Sequence, residues 1–176
     1  AEVVIPTALN FTMSKIFAGS VTSHVISHAK HGWILYAAGR NTSYALGTGD
    51  TFAPAPAPAP ENKFAFVPCT AYDSAGETIT ATDVKTIILG QSHLHLYQSF
   101  IIKNDDSVWA AGKNDRGQLG LGNSSAPSQS KYIQSDFSAS SISVHYQYDA
   151  VETTDNLTYT AILTGSSDNG IIKSWG

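Results

Sequence analysis

The chain repeats part of its own sequence, and an internal repeat constrains a fold more than any other sequence feature. Residues 36–41 read Tyr-Ala-Ala-Gly-Arg-Asn, and residues 109–114 read Trp-Ala-Ala-Gly-Lys-Asn, 73 positions later. The match continues without a gap to Leu-Gly-x-Gly at 46–49 and at 119–122. A third, partial copy lies at 169–176. The sequence therefore predicts about three similar units rather than one irregular core.

Each unit consists of short β-prone runs separated by turn residues. In the second unit the runs 97–103 and 107–111 flank Asn-Asp-Asp, and in the third the runs 157–164 and 171–175 flank a segment ending in Asn-Gly. Asn-Gly between two such runs is a strong hairpin signal, because a type I′ turn needs positive φ at both central residues. No segment has the periodicity of an amphipathic helix of normal length. We therefore predict an all-β chain of antiparallel meanders.

A second shared piece precedes the first two copies. Lys-Ile-Phe-Ala-Gly at 15–19 resembles Lys-Thr-Ile-Ile-Leu-Gly at 85–90, and Ser-His follows each piece, at 23–24 and at 92–93. We expect the two Ser-His pairs to occupy one repeat position. After the second copy, the Ser-rich stretch 122–135 is interpreted as a loop.

Residues 53–60 alternate strictly between alanine and proline. This pattern neither continues a helix nor pairs as a central strand, and it favours a polyproline II segment roughly 25 Å long. We interpret it as an Ala-Pro spacer inside one domain, residues 1–176. The repeats are then expected at about 1–52, 61–135 and 136–176.

Composition excludes several classes of protein. Ten Lys and Arg stand against 14 Asp and Glu, for a net charge of −4, which argues against nucleic-acid binding and an anionic membrane surface. The longest apolar run, 33–38, is too short for membrane insertion. A single cysteine, Cys69, excludes an intrachain disulfide and a cysteine-based metal site. Because the chain begins with Ala-Glu, we expect a processed, mature product.

The second copy carries the most specific motif. It has a hydrophobic strand and then Gly-x-Asn-x-x-Gly-Gln-Leu-Gly-x-Gly, and so it resembles the repeat of the regulator-of-chromosome-condensation family. The first copy departs from the pattern at Tyr44 and Ala45, where the family has Gly-Gln. The motif positions, for which a structural role is expected, are Gly39, Asn41, Leu46, Gly47 and Gly49 in the first copy and Gly112, Asn114, Gly117, Gln118, Leu119, Gly120 and Gly122 in the second.

The resemblance implies a β-propeller in which each repeat supplies about one four-stranded blade. This sequence would then form a propeller segment of about three antiparallel blades, the last one incomplete. Three alternatives follow for the rest of the ring: the sequence is a piece of a longer chain, other chains complete the ring, or the ring stays open and buries its edges in an assembly. In the last two cases the β-prone segment 2–5 is suited to pairing with the edge of the third unit.

No catalytic, metal or cofactor site is predicted. The histidines at 24, 28 and 31, and those at 93 and 95, are interpreted as structural or solvated rather than as metal ligands. Gly-Gln-Ser-His-Leu at 90–94 begins like a nucleophile elbow but lacks the closing glycine. The acidic residues are scattered, with no calcium-loop spacing.

Four Asn-x-Ser/Thr sequons are more informative, at Asn10, Asn41, Asn123 and Asn156. Each is a glycosylation candidate if the chain is secreted. Asn41 is the poorest acceptor, because it is also the turn asparagine of the repeat. The Ala-Pro tract resembles the hydroxyproline-glycosylated modules of plant and algal cell-surface proteins, and a plain stiff linker is the alternative.

These features favour a non-catalytic glycoprotein, extracellular or at the cell surface, that serves as a structural or assembly scaffold and polymerises into a filament or surface layer. The expected partners are other protein chains, chiefly through self-association, and a glycan. The alternative is a secreted binding protein, a glycan binder or a protein inhibitor that acts through propeller loops. Exchange activity on a small nuclear GTPase and enzymatic activity rank below both.

Overall fold

The computed structural model describes residues 12–19, 21–29, 32–41, 43–50, 62–72, 81–91, 97–114, 117–122, 128–146, 159–164 and 172–175, and the structural statements below refer to them. Within these ranges the chain is nearly all strand, with one short 3-10 turn at Ala81–Asp83. The strands are β1 Thr12–Ala18, β2 Thr22–Ala29, β3 Gly32–Gly39, β4 Lys63–Pro68, β5 Ala71–Tyr72, β6 Val84–Gln91, β7 Tyr97–Lys103, β8 Ser107–Lys113, β9 Ser128–Ser138, β10 Ser141–Tyr146, β11 Tyr159–Thr164 and β12 Ile172–Trp175.

The strands form three sheets. The first has the order β1-β2-β3-β4 and is antiparallel throughout. The second has the antiparallel order β6-β7-β8-β9, and the short β5 adds to β9 in parallel. The third consists of β10-β11-β12. The predicted all-β fold with about three antiparallel blades is confirmed, and we call the sheets blade 1, blade 2 and blade 3.

The glycines of the repeat explain why the two copies turn alike. Gly39 and Gly112 have φ of 115° and 114°, Gly47 and Gly120 have 62° and 65°, and Gly49 and Gly122 have 77° and 69°. Glycine adopts these values without the steric cost that a Cβ imposes. The departure at Tyr44 keeps the same backbone, since its φ of 65° matches the 75° of Gly117.

The blades stack through equivalent residues. Ile26, Leu35 and Ala37 of blade 1 are buried against blade 2 in one apolar cluster. The residues of blade 2 at the same register positions, Ile102, Val108 and Ala110, are buried in a second cluster with Ala139 and Ile142, next to blade 3. Both faces of blade 2 are therefore covered, which is the arrangement of consecutive propeller blades.

The first strands of neighbouring blades lie close together. The Nζ of Lys15 on β1 donates to the backbone carbonyl of Val84 on β6 at 3.2 Å. The blades thus converge along their first strands, as blades do around a propeller axis.

The fourth strands differ from the sequence interpretation. β4 pairs with β3, so blade 1 extends to Pro68 and beyond the repeat boundary expected near residue 52. β9 begins at Ser128, inside the stretch 122–135 that was expected to be a loop. Strand pairing decides both cases, because β8 supplies a long antiparallel ladder to β9 although the serines give weak strand propensity.

The flanks of the Ala-Pro tract lie side by side. The Nζ of Lys63 lies 3.0 Å from Oδ1 of Asp50, and the backbone N–H of Asn41 donates to Oδ1 of Asn62 at 3.1 Å. Residues 53–60 themselves lie outside the described residues. Their flanks belong to one sheet, so the tract connects two points of blade 1 and does not separate two repeats.

The two Ser-His pairs are not equivalent. His24 lies opposite Ala37 in the β2–β3 ladder, and Phe100 lies opposite Ala110 in the β7–β8 ladder. Ala37 and Ala110 are 73 positions apart, as in the sequence repeat. The counterpart of His24 is therefore Phe100, and residues 92–96 lie outside the described part of the chain. The segment 2–5 also lies outside it.

Candidate functional site

The repeat asparagines close the turn that follows the third strand of each blade. Oδ1 of Asn41 accepts a hydrogen bond from the backbone N–H of Leu46 at 3.2 Å, and Oδ1 of Asn114 accepts one from Leu119 at 3.1 Å. Both leucines are fully buried, and so is Gln118 beside Leu119. Each asparagine thus satisfies a donor that would otherwise be buried without a partner.

Asn41 has a further bond that bears on glycosylation. Its Nδ2 donates to Oδ2 of Asp50, and its exposed fraction is 1%. An N-glycan is attached at this same nitrogen, so the fold and a glycan compete for the atom. The other three sequon asparagines, Asn10, Asn123 and Asn156, lie outside the described residues.

We predict that Asn114→Ala destabilises the chain by about 1–3 kcal/mol, because the buried N–H of Leu119 loses its acceptor. Asn104 is the matched control, since it is an exposed asparagine in the turn between β7 and β8. Its replacement by alanine should change the unfolding free energy by less than about 0.5 kcal/mol. Urea unfolding followed by tryptophan fluorescence measures both, and equal losses would contradict the role of Asn114.

Cys69 occupies the position that a serine has in the second repeat. Its Sγ lies 3.3 Å from the carbonyl oxygen of Leu46, and Oγ of Ser135 lies 3.5 Å from that of Leu119. Cys69 is unpaired and 1% exposed, and burial raises the pKa of its thiol. The thiolate is the reactive form, so this cysteine serves packing and not nucleophilic chemistry.

A buried polar cluster joins blade 1 to blade 2. Nε2 of His24 lies 3.0 Å from the hydroxyl of Tyr132, which lies 2.8 Å from Oγ of Ser99. Oγ of Ser99 donates to the carbonyl oxygen of Ala45 in the first repeat turn. Burial lowers the pKa of His24 to about 4, and the backbone of Leu46 opposes this shift in part. We call His24, Tyr132, Ser99 and the Ala45 carbonyl the interblade cluster.

Comparison with known proteins gives a fold but no sequence family. No family model matches the chain, and no curated protein matches it in sequence. Among solved structures, Prp20p from Saccharomyces cerevisiae is similar, with a TM-score of 0.56 and 15% identity over 93% of this chain. The chain has the fold of an RCC1 propeller segment. The yeast RCC1 (Prp20) bound to Kap60 also matches, with a TM-score of 0.49 and 15% identity over 93% of this chain.

The RCC1 likeness confirms the family resemblance that the repeat motif indicated, at the level of the fold. The chain spans about a third of the length of the yeast RCC1 chains it matches, 33% and 32%.

Of the residues weighed for chemistry in the sequence, the structure describes the side chains of His24 and Cys69, and both are buried inside the RCC1-like scaffold. Among the described residues no group of three His, Cys, Asp or Glu could hold a metal ion. His24 is the one histidine whose side chain the structure describes, and it belongs to the interblade cluster. In the same ranges, no helix is long and apolar enough to cross a membrane.

Two members of the interblade cluster escape sequence reasoning. Tyr132 lies in the stretch interpreted as a loop, and Ser99 is one serine among many. Neither belongs to the repeat motif. One indirect signal exists, because the motif places glycine at position 47, and a Cβ there would meet the ring of Tyr132 at 2.2 Å.

Proposed function

We propose that this chain is a non-catalytic protein-binding scaffold, and that it acts outside the cell or at its surface as a glycoprotein. The main support for a non-catalytic role is that buried polar side chains make their contacts inside the scaffold. Three described side chains with nucleophilic or acid–base chemistry, Cys69, His24 and Ser99, are buried, and their contacts lie inside the scaffold: Cys69 within blade 1, and His24 and Ser99 between the two blades. What remains for function is the surface of a stacked sheet scaffold.

The similarity in fold to Prp20p supports other proteins as the class of binding partner. The yeast protein Prp20p is described by its binding to Gsp1p and histones. Here the described surface includes two exposed apolar side chains, Ile16 on β1 at 60% and Phe64 on β4 at 76%. These two strands are the edge strands of the blade 1 sheet. Exposed apolar groups on edge strands favour contacts with other protein chains, including a second copy of this chain.

The extracellular and glycoprotein part of the proposal rests on the sequence. Four sequons and an Ala-Pro tract occur in a chain with a net charge of −4. Asn41 is committed to the turn, so Asn10, Asn123 and Asn156 are the acceptors we propose. Self-association into a filament or surface layer is the finer proposal, and it fits the exposed apolar side chains on the edge strands of blade 1.

Native mass spectrometry of protein from its natural source, before and after N-glycosidase, tests the proposal. We expect a loss of mass on treatment, with peptide mapping that places glycans on at least one of Asn10, Asn123 and Asn156 and none on Asn41. We also expect oligomers that persist after deglycosylation, because the proposed contacts are between polypeptides.

Unmodified asparagine at all three positions would contradict the glycoprotein. A glycosylated monomer at every concentration would contradict the self-associating scaffold and would favour the secreted binding protein that acts through its loops. Protein expressed without glycosylation is the matched control for the mass shift.

A further inference from the structure

The interblade cluster contains a histidine with one satisfied and one unsatisfied nitrogen. His24 has no exposed surface, and no described residue makes a hydrogen bond to its Nδ1, while its Nε2 lies 3.0 Å from the hydroxyl of Tyr132. The cluster connects β2 of blade 1 with β7 and β9 of blade 2 and with the first repeat turn. A change in the protonation of His24 therefore acts on the interface between two blades.

Counting protons assigns the tautomer of His24. The hydroxyl of Ser99 has one proton, and it donates this proton to the carbonyl of Ala45. The contact of 2.8 Å between Ser99 and Tyr132 is then a hydrogen bond only if Tyr132 donates to Ser99. The oxygen of Tyr132 must accept from His24, so Nε2 carries the proton and Nδ1 carries a lone pair. The donors run in one direction, from His24 through Tyr132 and Ser99 to Ala45.

We propose that His24 is a proton-operated latch between blade 1 and blade 2. In its neutral form, with the proton on Nε2, it completes the donor chain across the interface. A second proton, taken from solvent onto Nδ1, places an imidazolium in the interface and loosens the contact between the blades. No bond other than N–H forms or breaks.

The surroundings of His24 offer little to stabilise an imidazolium. Tyr132 and Cys69 are the ionisable groups of this buried region, and burial raises the pKa of both, so they stay neutral. Among the described residues, the backbone of Leu46 is the group that favours the proton, and its carbonyl already faces Sγ of Cys69. No described side chain supplies a counter-ion for a charge on the ring of His24.

The charged residues on the strands and turn packed around His24 are engaged elsewhere. Lys15 bonds the carbonyl of Val84, Asp50 pairs with Lys63, and Lys103 lies over the ring of Trp109 at 4.5 Å. On β9, Lys131 lies beside Gly49 and Asp136 beside Gly122.

The sign of the pH effect follows from the lowered pKa. Between pH 6.5 and about 4 the unfolded chain binds a proton at His24 and the folded chain does not. The stability that neutral His24 provides is therefore full above pH 6.5 and falls as the pH drops towards 4. The ratio of unfolded to folded protein should rise about tenfold per pH unit, about 300-fold in total.

Urea unfolding between pH 8 and 3.5 of the wild type and His24→Phe tests the latch. Phenylalanine is chosen because Phe100 fills the equivalent position in blade 2. We expect the difference in pH dependence between the two proteins to reach this size, since carboxylates titrate alike in both. Equal pH profiles would overturn the proposal.

A second measurement does not depend on the variant folding. A long-range ¹H–¹⁵N spectrum of the wild type at pH 7, with His24 assigned by through-bond correlations to its own backbone, should show a protonated Nε2 and an unprotonated Nδ1. The opposite tautomer, or an imidazolium at pH 7, would overturn the proposal. The proposed function stands or falls separately, since neither experiment involves a partner or a glycan.

Discussion

Gly39→Ala should destabilise the chain by about 4 kcal/mol, because strain at a disfavoured φ and overpacking each cost about 1–3 kcal/mol. Gly39 has a φ of 115°, and a Cβ there would lie 2.2 Å from the carbonyl oxygen of Val21 and 2.9 Å from Cα of Thr22. These atoms are backbone and cannot rotate away. The substitution should therefore open the end of the β2–β3 ladder.

Gly117→Ala is the matched control, because Gly117 has a φ of 75° but a Cβ there would meet no atom within 4 Å. It isolates the backbone cost, which should be about 1 kcal/mol. Urea midpoints of the two variants and the wild type measure the difference. If the two substitutions lower the unfolding free energy equally, the short distance from residue 39 to the backbone of Val21 does not explain why the repeat has glycine there.

Tyr132→Ala should destabilise the chain by about 5 kcal/mol, the upper end for a buried aromatic side chain. Tyr132 is fully buried, its ring fills the space over Gly47, and its hydroxyl is the middle of the interblade cluster. Its removal leaves a cavity between the blades and strands the donor on His24. Ordinary domains have an unfolding free energy of about 5–15 kcal/mol, so this substitution removes a large part of that stability.

Tyr132→Phe separates the two contributions, since it keeps the ring and removes the hydroxyl. It should cost about 1–3 kcal/mol, the cost of a buried donor without a partner. Thermal and urea unfolding of the alanine and phenylalanine variants give the comparison. Losses of equal size would show that the hydroxyl, rather than the packing of the ring on Gly47, holds the blades together.

The repeated turns were predictable from the sequence because their cause is local. A glycine that must adopt positive φ, or an asparagine that must accept from the N–H five residues later, leaves the same residue at the same spacing in each copy. Gly39 and Gly112 share φ to within a degree for this reason, with 115° and 114°.

The pairing of the fourth strands was not predictable, because the two strands share no motif. β4 has the sequence Lys-Phe-Ala-Phe-Val-Pro, which favours a strand but does not name its partner, and β9 begins Ser-Gln-Ser-Lys-Tyr, which does not favour one. In each blade the third strand offers the open edge on which the fourth strand pairs. Residues 128–135 therefore read as a loop in isolation.

The interblade cluster was also beyond sequence reasoning, because its members come from separate repeats. His24 and Tyr132 are 108 positions apart, and their counterparts do not form the same pair. The position of His24 is taken by Phe100 in blade 2, which packs against blade 3. A comparison of the repeats shows only what they share, whereas the contact between His24 and Tyr132 depends on residues in which the repeats differ.

The bridge between Asp50 and Lys63 has a consequence for how this fold tolerates change. This ion pair joins the two ends of the segment of the β3–β4 connection that contains the Ala-Pro tract. Because β3 and β4 are held in register by their own pairing and by this contact, the stability of blade 1 depends little on the length of that segment. The entropic cost of closing a loop grows with the logarithm of its length, so doubling this segment costs only about 0.6 kcal/mol. We therefore expect blade 1 to accept insertions between Asp50 and Lys63, even a whole second domain, without a change in the pairing of β3 with β4.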